Sequence, residues 1–478
     1  MNSLRRNTLL YIIYEAGNFQ PAIDLCTEIK KHRGINCILY SPYFLPKTEQ
    51  YKEVAAEFDL IYLHEATALG GDADIEGQMP AGYFVENVVD FRVQSAPKIQ
   101  VRARLINQFA RKWVRNFPYW QSYYKKRVEH IEDLLYKLNV SHVILPEDNV
   151  ERDSACWTRA IQSMGGKAFV ISYASITPHE AAIAYWSNNE YAVRRIEDRF
   201  VQWLMPKWCY VYNKKAMLRL PSARVLAMES LNLAPKRPWV VNTGKMDGVL
   251  VESQFMRKRF VSQGVDPAAI RVTGAMPLDK ISHSVIGVAN HRKKRLEDLG
   301  CDENRKTIVC AIPPNQYPHV PANGHPTYKD LIGDYIAGLK KAANNFNIIL
   351  SLHPSLNIKD IEGIELKPAL IHHGSVMEIL PMADLYVATV STTIKWALAC
   401  GIPVVNYDCY NYDYVDFSDL KQVMECNTSD EFNKIMMSFT KSDFLQEKTK
   451  IAQDCARHFG VLDGKSIERV IEVIFEGA

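Results

Sequence analysis

The chain has 478 residues, 47% hydrophobic and 23% charged, with a formal net charge of +3. That length and balance suit two globular domains with cores of their own, and exclude a disordered or collagen-like chain. Ten cysteines with no C-x-x-C pair, most of them inside apolar runs, argue against a zinc site or a disulfide framework, and for reduced core residues of a cytoplasmic protein.

The opening residues are basic, but the apolar run that follows is only about seven residues. It is short for a signal core, and no small-residue cleavage site follows it. It reads instead as a first strand over 8–14. No stretch approaches the ~20 apolar residues that span a bilayer. Further strands are predicted at 36–40, 60–63, 141–145, 168–172 and 248–251, with helical spacing over 20–32 and 128–138 between them. That alternation predicts a doubly wound α/β domain. Gly17, just past the first strand, can let a ligand approach the backbone closely. Two segments break the rhythm and read as insertions, one with long helices over about 64–127 and one rich in aromatics and proline over about 178–240.

Strand 141–145 runs into Pro146-Glu147-Asp148-Asn149. Glu147 and Asp148 at a strand end can supply a general base for an acceptor hydroxyl. The alternative is that Asp148 or Asn149 caps the next helix.

A boundary is expected near 280–305, giving an N-terminal domain over 1–285 and a C-terminal domain over 300–478. The second sheet is predicted from strands at 307–312, 347–352, 368–371, 384–389 and 402–406. Its first strand opens into the turn-rich loop PPNQYPHVPANGHPTY, which reads as a ligand loop and makes Pro313 and Asn315 candidate binding residues. The second strand ends in His353-Pro354, where an imidazole can neutralise a leaving phosphate. The fourth ends in Ser391-Thr392-Thr393, hydroxyls at a helix start that suit an anion, or that simply cap the helix. Together they point to a transferase using a nucleotide-activated donor. The sequence has no G-x-G-x-x-G and no P-loop, which removes dinucleotide dehydrogenases and P-loop kinases.

Basic charge is concentrated. Residues 98–127 hold nine Lys or Arg and no acid, and residues 194–224 hold eight against Glu197 and Asp198. Aromatics are interleaved with both. This mixture points to peripheral contact with an anionic membrane rather than to nucleic acid, for which no binding motif is present.

The residues from 236 to 478 resemble the GT-B glycosyltransferases in order and style. RVTGAMPLDK is similar to the segment closing their first domain, as in the related hydrolysing UDP-sugar 2-epimerases. ADLYVATVSTTIKWALACGIPVV is similar to their donor-binding strand–loop–helix–strand. Within GT-B, Glu147-Asp148, His353-Pro354 and Ser391-Thr392-Thr393 resemble the set carried by bacterial enzymes with CMP- or CDP-activated donors. These are sialyltransferases, Kdo transferases and CDP-glycerol polymerases of surface-polysaccharide synthesis. The resemblance implies an α/β GT-B fold of two Rossmann-like domains facing across a cleft. It implies an inverting, metal-independent transfer from a nucleotide-sugar, CMP-linked by preference, to a glycan or lipid-linked glycan. It implies no cofactor. One carboxylate would be the base, His353 would stabilise the leaving phosphate, and the hydroxyls would hold it.

Two positions depart from the pattern. Trp396 stands where UDP-sugar enzymes carry a ribose-gripping glutamate, and Asn149 stands where the sialyltransferases carry glycine. The second leaves His179-Glu180 as a rival base. A UDP-sugar 2-epimerase and a non-catalytic GT-B scaffold subunit stay open as alternatives.

Overall fold

The computed structural model describes residues 8–14, 18–41, 59–62, 84–85, 106–172, 177–186, 188–285, 288–316, 324–353, 356, 358–412 and 417–476. Gly17, Pro354 and the start of the first basic segment lie outside them. The chain divides into two compact units. The first comprises Met1–Val251, Arg259–Arg271 and Ile471–Ala478, and the second Glu252–Lys258 and Val272–Val470. Residues 272–285, read from the sequence with the first domain, thus pack with the second.

In the first unit the strands are β1 (Thr8–Ile12), β2 (Asn36–Ser41), β3 (Asp59–Tyr62), β4 (Phe84–Val85), β5 (Val140–Leu145), β6 (Lys167–Ile171), the pair β7 (Cys209–Tyr212) and β8 (Lys215–Leu218), β9 (Gly248–Val251) and β10 (Ile270–Val272). The helices between them are α1 (Phe19–Arg33), α2 (Ile106–Lys137), α3 (Ser154–Ser163), α4 (Pro178–Tyr185), α5 (Ile196–Leu204) and α6 (Ser222–Ser230). Eight strands form one sheet in the order β10-β9-β6-β5-β1-β2-β3-β4. The pairings of β1 with β2 and β5, and of β5 with β6, are parallel. β1 is buried along its whole length, as a central parallel strand covered on both faces must be. From β1 the chain builds outward to β4, then returns to β5 on the other side. The order therefore reverses between β1 and β5, and Glu147-Asp148 follow the strand at that reversal.

The predicted helix over 128–138 is the end of a longer one. α2 runs 32 residues and passes through Pro118. Proline removes one backbone donor, and the helix continues through it. The second insertion holds α4, α5, the antiparallel β7–β8 hairpin and α6.

The second unit continues through α7 (Gln254–Gln263, whose first residues belong here), α8 (Met276–Val285) and α9 (Val288–Asp298). Its sheet consists of β11 (Lys306–Ala311), β12 (Phe346–Ser351), β13 (Leu370–His372), β14 (Leu385–Ala388), β15 (Val404–Tyr407) and β16 (Val423–Cys426). The order is β13-β12-β11-β14-β15-β16, with every pairing parallel. It reverses between β11 and β14. Helices α10 (Tyr328–Lys340), α11 (Val376–Ile379), α12 (Thr393–Ala399), α13 (Ser429–Ser438), α14 (Ser442–Phe459) and α15 (Ser466–Glu476) complete the unit, the last crossing to the first. One core face is built on Tyr335, Tyr407 and Phe432, with Tyr407 stacked on Phe432 at 4.8 Å and tilted against Tyr335 at 4.9 Å between ring centroids. Each such ring contributes about 1.5–3 kcal/mol of burial.

The segment RVTGAMPLDK has a packing role within this unit. Asp279, on α8, accepts from the backbone N–H groups of Ser466 at 3.0 Å and Ile467 at 2.9 Å, capping the start of α15. Gly274 sits at φ +95°, and a Cβ there would collide with the Ser466 side chain. The glycine is required both by conformation and by close approach.

Candidate functional site

Ligands of open α/β sheets bind outside the carboxyl ends of the strands at the point where strand order reverses. Each unit has one such point, and the candidate residues of the sequence analysis gather at both.

At the end of β5, Asp148 is buried. Its Oδ1 accepts from Ser154 Oγ of α3 at 2.8 Å and its Oδ2 from the Gly244 N–H at 2.7 Å. Its backbone exchanges two bonds with Asn242, both at 2.8 Å. Burial raises the Asp148 pKa, against the lowering effect of these two donors. The carboxylate thus clamps the 242–244 turn and the start of α3, and both its oxygens are committed. Gly244 lies so close that a Cβ would meet the carboxylate. Glu147 is half-buried, accepts from Asn149 Nδ2 at 3.3 Å and has Arg152 Nε at 3.8 Å. Of the pair it is the one with a face to solvent, its side chain 24% exposed.

Glu151, in the next turn, was not anticipated from sequence. Buried Arg219 pairs with it at 2.9 Å, and the hydroxyls of Tyr185 and Tyr191 both donate to it. Arg219 also donates to Asn149 Oδ1 at 3.2 Å and lies over the Tyr185 ring at 4.8 Å. The second insertion is tied to the strand end by this network. Of the rival pair, Glu180 closes a capping box with Thr177 at the start of α4, and burial raises its pKa. The His179 ring rests edge-on against Tyr212 at 5.0 Å.

In the second unit three adjacent strands, β12, β11 and β14, present their carboxyl ends together. β14 leads to Thr389, Val390 and the hydroxyl run. Val390 has φ +40°, a conformation that costs a β-branched residue about 1–3 kcal/mol. Its N–H donates to Asn406 Oδ1 of β15 at 3.0 Å, and Asn406 is buried. Ser391 Oγ and Thr393 Oγ1 lie 2.7 Å apart, with Tyr386 OH at 2.5 Å from Thr393. Thr392, at the cap of α12, makes no side-chain capping bond. Below them, Thr389 Oγ1 bonds the Tyr335 hydroxyl, tying the loop to the aromatic core.

After β11, Pro313 is buried and its carbonyl accepts from Tyr328 OH at 2.6 Å. The Pro314 carbonyl accepts from Tyr410 OH at 2.8 Å. Two tyrosines therefore hold the loop, with Pro313 as anchor and half-buried Asn315 beyond it. After β12, His353 is accessible to solvent, yet enough protein surrounds its ring for desolvation to press the pKa below the ordinary histidine value. At neutral pH the imidazole is then mostly uncharged.

Trp396 Nε1 donates at 3.0 Å to Glu252, a buried carboxylate that is also ion-paired with buried Lys395. A carboxylate thus stands beside Trp396, enclosed and engaged by Trp396 and Lys395. Among the described residues no cluster of His, Cys, Asp or Glu suits a metal ion.

No protein-family model matches the sequence, and no curated protein matches it. Solved structures do. The calicheamicin glycosyltransferase aligns with a TM-score of 0.52 at 10% identity, covering 98% of this chain and 98% of its own. The fold is GT-B. A protein from Listeria monocytogenes assigned as a UDP-N-acetylglucosamine 2-epimerase aligns with a TM-score of 0.50 at 13% identity, covering 98% of this chain and 97% of its own. Identities this low speak for architecture alone. Among the described residues, no helix of this GT-B protein is long and apolar enough to cross a membrane.

Proposed function

We propose that this protein transfers a sugar from a nucleotide-activated donor to a surface-polysaccharide or lipid-linked glycan acceptor. The observation that carries the reading is the β14–α12 turn. A strained Val390, fixed by Asn406, holds three hydroxyls beside the strand ends of β11 and β12. Strain kept at a strand end is characteristic of ligand-holding turns. In this reading Ser391, Thr392 and Thr393 donate to the leaving phosphate, and Asn315 contributes from the neighbouring loop. His353 donates a ring N–H to the leaving phosphate as its charge develops. Glu147 is the proposed base, with Asp148 holding its loop in place.

The nucleotide is proposed to be cytidine-based. What supports this is the likeness of Glu147-Asp148, His353-Pro354 and Ser391-Thr392-Thr393 to the set of CMP- and CDP-donor enzymes, with Trp396 where UDP-sugar enzymes carry glutamate. The likeness to the Listeria protein motivates a second reading, a UDP-sugar 2-epimerase-like activity.

The test is nucleotide release from CMP- and UDP-activated sugars by wild type and His353→Ala. The transferase reading expects CMP release that His353→Ala lowers by ~10²-fold or more, as for a lost charge-stabilising donor. UDP-sugar turnover with no CMP release would favour the epimerase, and a folded His353→Ala with wild-type turnover would remove His353 from the site.

A further inference from the structure

Helix α5 carries an apolar face that its own unit leaves open. Ile196, Phe200, Trp203 and Leu204 are 79%, 43%, 76% and 48% exposed. Their i, i+4, i+7, i+8 spacing puts them on one side of the helix. The other side is anchored. Val201 is buried. The Asp198 carboxylate accepts from the backbone of Arg195 at 3.1 Å and from Ser222 Oγ of α6 at 2.5 Å. The rotation of the helix is thereby fixed, and the ridge points outward as a permanent feature.

The charge around the ridge has one dominant sign. Arg194, Arg195 and Arg199 are exposed. Asp198 is buried, and Glu197 is largely covered and lies 4.0 Å from Arg195. An outward apolar ridge with a tryptophan and an arginine flank is the pattern of a helix lying in the plane of an anionic bilayer. The helix has nine residues, so at ~1.5 Å per residue and about 10 Å width its ridge offers on the order of 140 Å². A stable protein partner needs ~800 Å² per side. A lipid surface needs no such area.

We infer that α5 docks this protein on an anionic membrane, with Phe200 and Trp203 entering the headgroup layer. This narrows the expectation drawn from composition. In the other basic–aromatic segment, Tyr124 is buried and the Trp120 ring is covered by the Arg224 guanidinium at 4.6 Å. Those two rings are covered, whereas Ile196 and Trp203 of the α5 ridge are 79% and 76% exposed. The inference goes beyond the transfer reaction and stands whichever nucleotide binds.

The test is co-sedimentation of the full chain with vesicles of phosphatidylcholine containing about one-third phosphatidylserine, against pure phosphatidylcholine. Wild type is expected to pellet with the anionic vesicles only, less so as salt rises. Phe200→Glu/Trp203→Glu should lower partition at least about tenfold. Arg194→Gln/Arg195→Gln/Arg199→Gln should lower it by about a hundredfold, near fivefold per arginine. Tyr136→Glu, at a residue 70% exposed on α2, should leave it unchanged, and unaltered circular dichroism would confirm folding of each variant. Equal pelleting of wild type and the α5 variants would overturn the inference. So would a wild-type dimer that ignores vesicles and dissociates with Trp203→Glu, since a second copy would then cover the ridge.

Discussion

The N–H of Val390, at φ +40°, donates to the buried side-chain oxygen of Asn406 at 3.0 Å. One strand thus holds the strained turn that follows its neighbour. The other end of Asn406 donates to Glu425 at 3.5 Å. Asn406→Ala removes the acceptor for a partly buried N–H and a partner of Glu425. The expected cost is about 1–3 kcal/mol, read by urea denaturation, together with weaker nucleotide binding. Val390→Gly should relieve the strain and leave the fold close to wild-type stability.

Glu147 and Asp148 are adjacent but differ in surroundings, and their variants should separate. Asp148→Asn cannot accept from both Ser154 and Gly244. It should lower stability by about 1–3 kcal/mol. Glu147→Gln should fold normally, bind donor and lose transfer. Full activity in Glu147→Gln would place the base elsewhere, with His179 next to be tested.

Glu252 and Lys395 form a buried ion pair within the second unit, supported by Trp396. Lys395→Met leaves a buried carboxylate without its cation and should cost about 3–5 kcal/mol. Adding Glu252→Gln should restore part of that loss. Additive losses in the double variant, measured by chemical denaturation, would argue against coupling.

His142 on β5 supplies a pH-dependent term. Desolvation, with Lys167 second, lowers its pKa to about 4. The unfolded chain titrates near 6.5. Between these values the unfolded state takes up a proton that the folded state refuses, so stability falls as the pH drops from 6.5 toward 4. The ring is partly in reach of water, which reduces the effect to the order of 1 kcal/mol. His142→Phe, packed between Phe169 and Phe475, should flatten that part of the pH–stability curve.

The strands that carry the site were legible because buried parallel strands leave uninterrupted apolar runs. β5, β11, β12 and β14 each fall within a residue or two of the positions read from sequence. The hydroxyl run was legible because it interrupts one of those runs. What was not legible depends on partners far apart in the chain. Lys395 lies in an apolar helix, and only Glu252, 143 residues earlier, explains its burial. Asp148 reads as a free carboxylate until Gly244 is beside it, 96 residues on. The basic–aromatic segment holding α5 was legible from composition, but not which of its rings face outward. The apolar spacing of α5 is that of any core-facing helix, and only Asp198 shows which side is anchored.

The central claim is that the turn at 389–393 holds a cytidine nucleotide through its phosphate. Thermal unfolding with CMP, CDP and UDP, on wild type and on Ser391→Ala/Thr392→Val, tests it most directly. A ligand at 100 times its Kd stabilises the fold by about 2.7 kcal/mol, several degrees for a unit of this size. The account predicts that CMP or CDP raises the wild-type midpoint, that UDP does so less, and that the double variant loses the shift. No shift with any nucleotide, or an undiminished shift in the double variant, would contradict it.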